Sequence, residues 1–414
     1  MSRYPSILFV NQNYYPDLVS AGQRLTDLAE HLAADGFAVS VLCGRGGYEG
    51  ESTDAPVHET RNGVQIRRLR TPNFGRSSNL GRITDYAAFF TQALGHVLAR
   101  SAPDYVVTLT TPPLVNIVGA AAKLLKNQPY GIWSMDLHPD GEKALGMIPE
   151  EGLVTSVLDG LNDMAYRKAD FVIALGRRMA ERIQAKGVRN DSLKVLPMWT
   201  KGMDEVPEEQ NPYLEKFGLQ DRFVVLYAGN AGLFHQFEEI CDCMRRFKDH
   251  DDIYFLFVGD GPRRDEIESY AREHDIDNFE YRDYVPREDL KYVLSLADVH
   301  LLSLRPEISG IAVPSKLYDS MMSARPVLMV GPRSSETART IEEGEFGVVF
   351  DPSRREGTEV VQGLVEALEM FYEKPDQRRE MGERGRALYN RKYAQERVCE
   401  QWSRFLRDQI DSSC

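Results

Sequence analysis

The chain has 414 residues, more than one compact domain normally takes, so two α/β domains of about 200 residues each is the natural expectation. Its 42% hydrophobic and 27% charged content is that of an ordinary soluble protein. A formal charge of −13 argues against general nucleic-acid binding, which needs a basic footprint, but leaves room for a local basic patch.

The first apolar run, Ser6-Ile7-Leu8-Phe9-Val10, passes straight into polar Asn11-Gln12-Asn13, which is a strand length and too short for a signal-peptide core. A loop with Tyr14-Tyr15-Pro16-Asp17 and Ala21-Gly22 follows. A helix then carries Leu25, Leu28, Ala29 and Leu32 at helical spacing and stops at Gly36. Ala38 to Leu42, Gln65 to Arg68, Tyr105 to Leu109, Tyr130 to Met135, Phe171 to Ala174 and Leu193 to Leu196 read as further strands. Helical stretches such as Tyr86 to Arg100 and Leu114 to Lys126 separate most of them. Strands alternating with helices predict βαβ units and a parallel sheet. Near-continuous apolar strands fit a sheet covered on both faces.

The rhythm breaks after Met198. Lys201 to Pro212 is rich in Gly, Pro, Glu and Asn, which predicts a linker over 201–220. It restarts with strand Phe223 to Tyr227 and the loop Ala228-Gly229-Asn230-Ala231-Gly232. Strand Tyr254 to Val258 runs into Gly259-Asp260-Gly261-Pro262, and Phe279 to Tyr281, Val299 to Leu302, Pro326 to Val330 and Gly347 to Phe350 complete the set. Lys374 to Leu406, highly charged with scattered aromatic residues, reads as terminal helices on the surface. The predicted architecture is α/β, with two Rossmann-like doubly wound domains facing across a cleft and ligands at the carboxyl ends of the strands.

Five cysteines, odd in number and mostly scattered, predict neither a disulfide framework nor a zinc site, and point to a reducing cytoplasm. No run approaches the ~20 apolar residues of a membrane span, so any membrane contact is expected to be peripheral. Arg177, Arg178, Arg182 and Lys186 form a basic cluster at helical spacing that suits anionic headgroups, although Glu181 interrupts it and a solvated basic face reads equally well.

The most informative segment is Gly310-Ile311-Ala312-Val313-Pro314-Ser315-Lys316-Leu317-Tyr318-Asp319. A glycine-bearing loop opens into a helix start, which suits an anion such as a diphosphate. Lys316 adds a full charge, and Asp319, one turn further on, is spaced to accept from sugar hydroxyls. The plainer reading is a loop–helix–strand crossover with Ser315 as N-cap. His138, between Asp136 and Asp140 after a strand, is either a working histidine whose pKa the carboxylates raise or a turn residue beside Pro139. Asp17 and Gly22 lie after the first strand, where Gly22 permits close ligand approach or simply a tight turn. Gly259-Asp260-Gly261 lacks the third glycine of a dinucleotide fingerprint.

Taken in order, Tyr15-Pro16-Asp17, Thr111-Pro112-Pro113, Asp136-Leu137-His138-Pro139-Asp140, Tyr227-Ala228-Gly229-Asn230-Ala231-Gly232, Val258-Gly259-Asp260-Gly261-Pro262, Val313-Pro314-Ser315-Lys316-Leu317-Tyr318 and Met381-Gly382 resemble the retaining glycosyltransferases of family 4, which have the GT-B fold. The likeness is strongest to the subgroup that builds bacterial surface polysaccharides, including N-acetylfucosamine transferases of O-antigen synthesis. The resemblance implies an acceptor-binding domain over 1–200 and a nucleotide-sugar domain over 221–390. It also implies a terminal helix over 391–414 crossing back to the N-terminal domain.

It implies catalytic roles for His138, Asp136 and Lys316. The donor would lie against Gly229, Asn230, Gly232, Gly259, Gly261, Arg305, Pro314, Ser315, Lys316 and Asp319, and the acceptor against Asp17 and Gly22. Basic residues and helix dipoles, with no metal and no cofactor, would stabilise the departing diphosphate. The partners implied are a nucleotide-sugar donor and a glycan or lipid-linked glycan acceptor, met in the cytoplasm or at the inner face of the plasma membrane.

Two positions depart from the family. Asp319 takes the place of the second of two family glutamates, but Ile311 stands where the first belongs, leaving Glu307 as the nearby carboxylate. His235 and Gln236 stand where many members carry Arg and Lys for the diphosphate. A nucleotide-sugar epimerase of the same fold and an inactive nucleotide-sugar-binding subunit are the rival expectations.

Overall fold

The computed structural model describes residues 4–17, 19–45, 55–70, 79–99, 101–203, 206–354 and 356–413. Asp204 and Glu205 of the expected linker, and Cys414 of the expected terminal helix, lie outside them. The chain divides into two compact units: residues 1–198, 310–312 and 395–414, and residues 199–309 and 313–394.

The first unit contains β1 (Ser6–Val10), β2 (Ala38–Gly44), β3 (His58–Arg61), β4 (Val64–Leu69), β5 (Tyr105–Thr108), β6 (Tyr130–Ser134), β7 (Phe171–Ala174) and β8 (Leu193–Val195). They form one sheet in the order β3-β4-β2-β1-β5-β6-β7-β8, parallel except where β3 pairs antiparallel with β4. Every residue of β5, β6 and β7 is buried, which is why these strands read as unbroken apolar runs. β3 went unread in the sequence because His58-Glu59-Thr60-Arg61 is polar. Its turn, Asn62-Gly63, has positive φ at both residues (46° and 82°), the geometry of a two-residue hairpin.

The helix Gln395–Ser413 belongs to this unit. Its charge lies on an exposed face, as expected of a surface helix, while Val398, Cys399, Trp402 and Leu406 on the other face are fully buried. The Trp402 ring lies 4.8 Å from that of Trp133 on β6, and Phe405 meets Phe171 of β7 edge-on at 5.1 Å.

The second unit contains β9 (Phe223–Ala228), β10 (Ile253–Val258), β11 (Phe279–Arg282), β12 (Val299–Ser303), β13 (Val327–Val330) and β14 (Gly347–Phe350). The sheet is wholly parallel, in the order β11-β10-β9-β12-β13-β14. Numbered within the unit this is 3-2-1-4-5-6, so the direction of winding reverses between β9 and β12 and opens a crevice at their carboxyl ends. One apolar cluster covers each face of the sheet.

The stretch expected as linker is only partly open chain. From Asn211, whose side chain accepts from Tyr213 N–H at 3.0 Å, it becomes the helix Pro212–Phe217. Tyr213, Phe217 and Leu219 are buried beside Val224, Leu226 and Leu256.

Candidate active site

In the second unit the reversal between β9 and β12 brings together residues far apart in sequence. The helix Lys316–Met322 sends the Lys316 side chain back over the loop that leaves β9. Its Nζ donates to the Asn230 carbonyl at 3.0 Å, lies 3.0 Å from His235 Nε2, and sits 5.0 Å from the centre of the Tyr227 ring. Tyr227 OH donates to the same Asn230 carbonyl at 2.9 Å, which fixes the loop from beneath. The lysine stem passes over Gly229 because a Cβ there would stand 2.9 Å from Lys316 Cε. The next strand-end loop closes in equally tightly: a Cβ on Gly259, whose φ is +145°, would stand 2.3 Å from the Gly229 carbonyl oxygen.

Lys316 is half-buried by its accessible surface, yet its ammonium is packed closely enough for burial to push its pKa down to about 7, with Asp319 only partly offsetting this. Asp319 accepts from Thr200 Oγ1 at 2.6 Å. Burial, with the Lys316 charge behind it, pushes His235 down to about 3. Its Nδ1 lies 2.6 Å from the Ser303 carbonyl at the end of β12.

Of the other residues singled out in sequence, Gly261 packs on the same loop, where a Cβ would stand 2.4 Å from Asn230 Oδ1. Gly232 is buried beside the Asn230 amide. Arg305 N–H donates to the Phe234 carbonyl, and its guanidinium lies 3.7 Å from the exposed carboxylate of Glu307. Pro314 and Ser315 are half-buried in the approach to the helix. Ser315 is not a side-chain cap: its backbone is already helical (φ −68°, ψ −22°) and its hydroxyl makes no capping bond. Ile311 is 1% exposed, belongs to the first unit, and accepts from Leu137 N–H at 3.0 Å through its carbonyl.

In the first unit the loop leaving β6 carries Asp136 and His138. The Thr110 hydroxyl accepts from Met135 and Asp136 N–H at 3.2 and 3.1 Å and holds the loop at the sheet's carboxyl end. His138 Nδ1 lies 2.7 Å from Glu142 Oε1, one turn along at the short helix Asp140–Ala144. Burial works to lower the His138 pKa, but the Glu142 hydrogen bond and charge outweigh it, with Asp136 and Asp140 adding less, and the net shift is upward. The aspartates do raise it, as the sequence suggested, but the ring's hydrogen-bond partner is Glu142.

Asp140 is instead engaged by Lys186 Nζ at 2.6 Å. Burial pushes the Asp136 carboxyl above its ordinary range. Glu142 was visible in sequence as the carboxylate four residues after His138, a spacing that joins side chains only once a helix is assumed. The same contacts change the basic cluster. Lys186 meets Asp140 and Asp163, Arg182 lies 3.9 Å from Asp140, and Arg178 pairs with Glu181, so it is not an open cationic face.

Asp17 Oδ1 accepts from Val19 N–H at 3.0 Å ahead of the helix Ser20–Ala34. Gly22 lies within that helix and not in the preceding loop. What approaches it is the Asn13 main chain, 3.3 Å from where a Cβ would be.

Two α/β units built on parallel sheets, one carrying a lysine held at the switch point and the other a carboxylate-paired histidine at its strand ends, define a two-domain protein of the doubly wound class. Residues 21–199 match the glycosyl transferase 4-like domain family, and residues 210–388 match the glycosyl transferases group 1 family. The chain belongs to the family 4 glycosyltransferases of the GT-B fold.

Among its relatives is the probable glycosyltransferase WbjE of Pseudomonas aeruginosa, 26% identical over 59% of this chain and 61% of that protein. The chain thus aligns with less than two thirds of WbjE's length. The putative colanic acid biosynthesis glycosyl transferase WcaI of Escherichia coli K12 is 23% identical over 81% of this chain and 84% of that protein. In fold, the chain resembles sucrose-phosphate synthase of Thermosynechococcus elongatus (TM-score 0.79, 16% identity, 99% of this chain and 100% of that one). It also resembles Anabaena HepE, solved in complex with UDP and glucose (TM-score 0.70, 16% identity, 97% and 98%).

Proposed function

We propose that the chain is a retaining, metal-independent glycosyltransferase. It moves a sugar from a nucleotide-sugar to a growing surface glycan, lipid-linked or free, in the cytoplasm or at the inner face of the plasma membrane. The observation that carries this reading is the Lys316 ammonium at the switch point of the second unit. It has three N–H donors, of which Asn230 and His235 occupy two, and in this reading the third meets the donor diphosphate. Glycosyltransferase relatives and the UDP complexes of HepE support a nucleotide-sugar as the ligand.

In the proposed reaction the acceptor hydroxyl oxygen bonds to the anomeric carbon on the face from which the diphosphate leaves. The anomeric C–O bond breaks with its electron pair passing to the diphosphate oxygen, and that diphosphate takes the acceptor proton. Lys316 stabilises the growing charge, while Gly229, Asn230, Gly232, Gly259, Gly261, Arg305, Pro314 and Ser315 line the donor site. Asp319 accepts from the ribose, releasing Thr200. His138, held at Nδ1 by Glu142 and beside Asp136, donates through Nε2 to a hydroxyl of the transferred sugar, and Asp17 lies toward the acceptor, with Gly22 packed behind it on Asn13. Among the described residues no helix is long and apolar enough to cross a membrane, and the lipid contact proposed is peripheral.

The test is a panel of UDP-, GDP- and CMP-sugars, with nucleotide release followed with and without cell-envelope lipid extract. Release that requires the extract, with retained anomeric configuration and no loss in EDTA, is expected. Sugar isomerisation without release, or binding with neither outcome, overturns the transferase reading.

A further inference from the structure

His235 is buried, is 3.0 Å from the amine on which the donor reading depends, and has no role in the reaction above. Its protonation follows from its neighbours. A lysine ammonium has no acceptor, so the Nε2 facing it must offer a lone pair. The Ser303 carbonyl, 2.6 Å away, can only accept, so Nδ1 must carry the hydrogen. The ring is therefore neutral in one tautomer, and burial and the Lys316 charge hold it so by pushing its pKa to about 3. It cannot itself be a cation for phosphate, as an arginine in this loop would be.

We propose that His235 is a positioning residue for donor binding: a neutral acceptor, fixed by the Ser303 carbonyl, that aims the Lys316 ammonium at the diphosphate. This rests on the donor reading above and adds how the charge is held. The loop is braced accordingly. Gln236 N–H donates to Ser303 Oγ at 3.3 Å, and Arg263 reaches the His235 carbonyl at 3.1 Å while pairing with Glu238 and Glu266. The imidazole, on the loop that leaves β9, is thereby tied to the end of β12 through Ser303 and to the segment after β10 through Arg263. A flexible lysine stem loses rotamer freedom on ordering, and an acceptor already in place removes part of that cost from ligand binding.

The test compares His235→Phe, which keeps a ring and removes both nitrogens, with His235→Gln, whose amide supplies one N–H donor and one acceptor. UDP and GDP are titrated into each full-length protein, with uridine and guanosine as controls lacking the diphosphate. The expected result is a loss of about tenfold or more in nucleoside diphosphate affinity for His235→Phe, unchanged nucleoside affinity, and recovery to within about threefold of wild type in His235→Gln. Nitrogen-15 spectra of the wild-type imidazole, needing no variant, are expected to show the Nδ1–H tautomer unchanged from pH 8 to pH 5.

A ring that titrates in that range, or a His235→Phe protein that binds diphosphates as wild type does, overturns the proposal while leaving the donor reading intact. Equal losses in both variants make the role merely structural and overturn it too. Failure of wild type to bind either diphosphate overturns the donor reading, and this proposal with it.

Discussion

The Lys316 amine makes donor affinity dependent on pH in a direction the structure fixes. In the free site burial holds its pKa near 7, so about half the molecules carry the charge at pH 7. The charged and titratable groups around it are few. Asp319 faces it from its own helix, the buried Tyr227 from β9 and neutral His235 from the following loop, with Arg263 beyond the His235 carbonyl. His235 and Tyr227 do not change charge between pH 6 and 9: the His235 pKa lies at about 3 and the Tyr227 pKa well above its ordinary value.

A bound diphosphate brings negative charge to the third N–H and raises the lysine pKa, so binding takes up protons. The sign follows. Affinity is greatest where the free amine is already charged and falls as pH rises through 7. If the bound pKa exceeds 10, UDP binds roughly 50-fold more weakly at pH 9 than at pH 7, about 2 kcal/mol. Below about pH 6 the phosphate's own ionisation sets the limit. Calorimetry in buffers of differing ionisation enthalpy checks this, with roughly half a proton taken up per UDP at pH 7. Lys316→Arg, which stays charged throughout, is expected to flatten the profile whatever its absolute affinity. UDP affinity constant within threefold from pH 7 to 9 in wild type, or proton release on binding, refutes the reasoning.

Two further perturbations probe the first unit. Glu142→Gln removes the main group that raises the His138 pKa, so the imidazole titration followed by NMR is expected to move to lower pH. The stability the pair contributes, on the order of 1 kcal/mol, is fully present below the ordinary imidazole pKa of about 6.5. It is lost as pH rises through the raised folded-state value, so the variant's deficit should be larger at pH 6 than at pH 9 in urea titrations. Trp402→Ala empties a fully buried site against Trp133 and is expected to cost about 3–5 kcal/mol. Trp133 fluorescence during denaturation reports this, and a loss below 1 kcal/mol would mean that the terminal helix contributes little to its unit.

The sheets were legible because their central strands are short, apolar and buried on both faces, so β5 to β7, β9, β10, β12 and β13 declare themselves without tertiary information. β3 does not: Glu59 is there for the buried guanidinium of Arg68, 2.7 Å away, and no local pattern encodes that pairing. The terminal helix was legible only in part. Its exposed face is dense in charge, and composition averaged over the segment hides the stripe Val398, Trp402 and Leu406 that is buried. For the candidate site, the sequence singled out Lys316, Asn230 and Gly229 through motif order, but the acceptors of the lysine lie 86 and 81 residues away from it.

His235 looked like a departure, a position where a cation was missing. In the proposal above that is turned around: a neutral imidazole directed at the lysine avoids a second positive charge, which would repel the first at about 3 Å. The same logic bears on Ile311. At 1% exposure, with its carbonyl engaged by Leu137, that position would bury a glutamate carboxylate at considerable desolvation cost. Donor recognition in the proposed reading therefore concentrates on Lys316 and Asp319, and it is the surroundings of those two side chains, more than the vacant carboxylate position, that should set how tightly the donor is held.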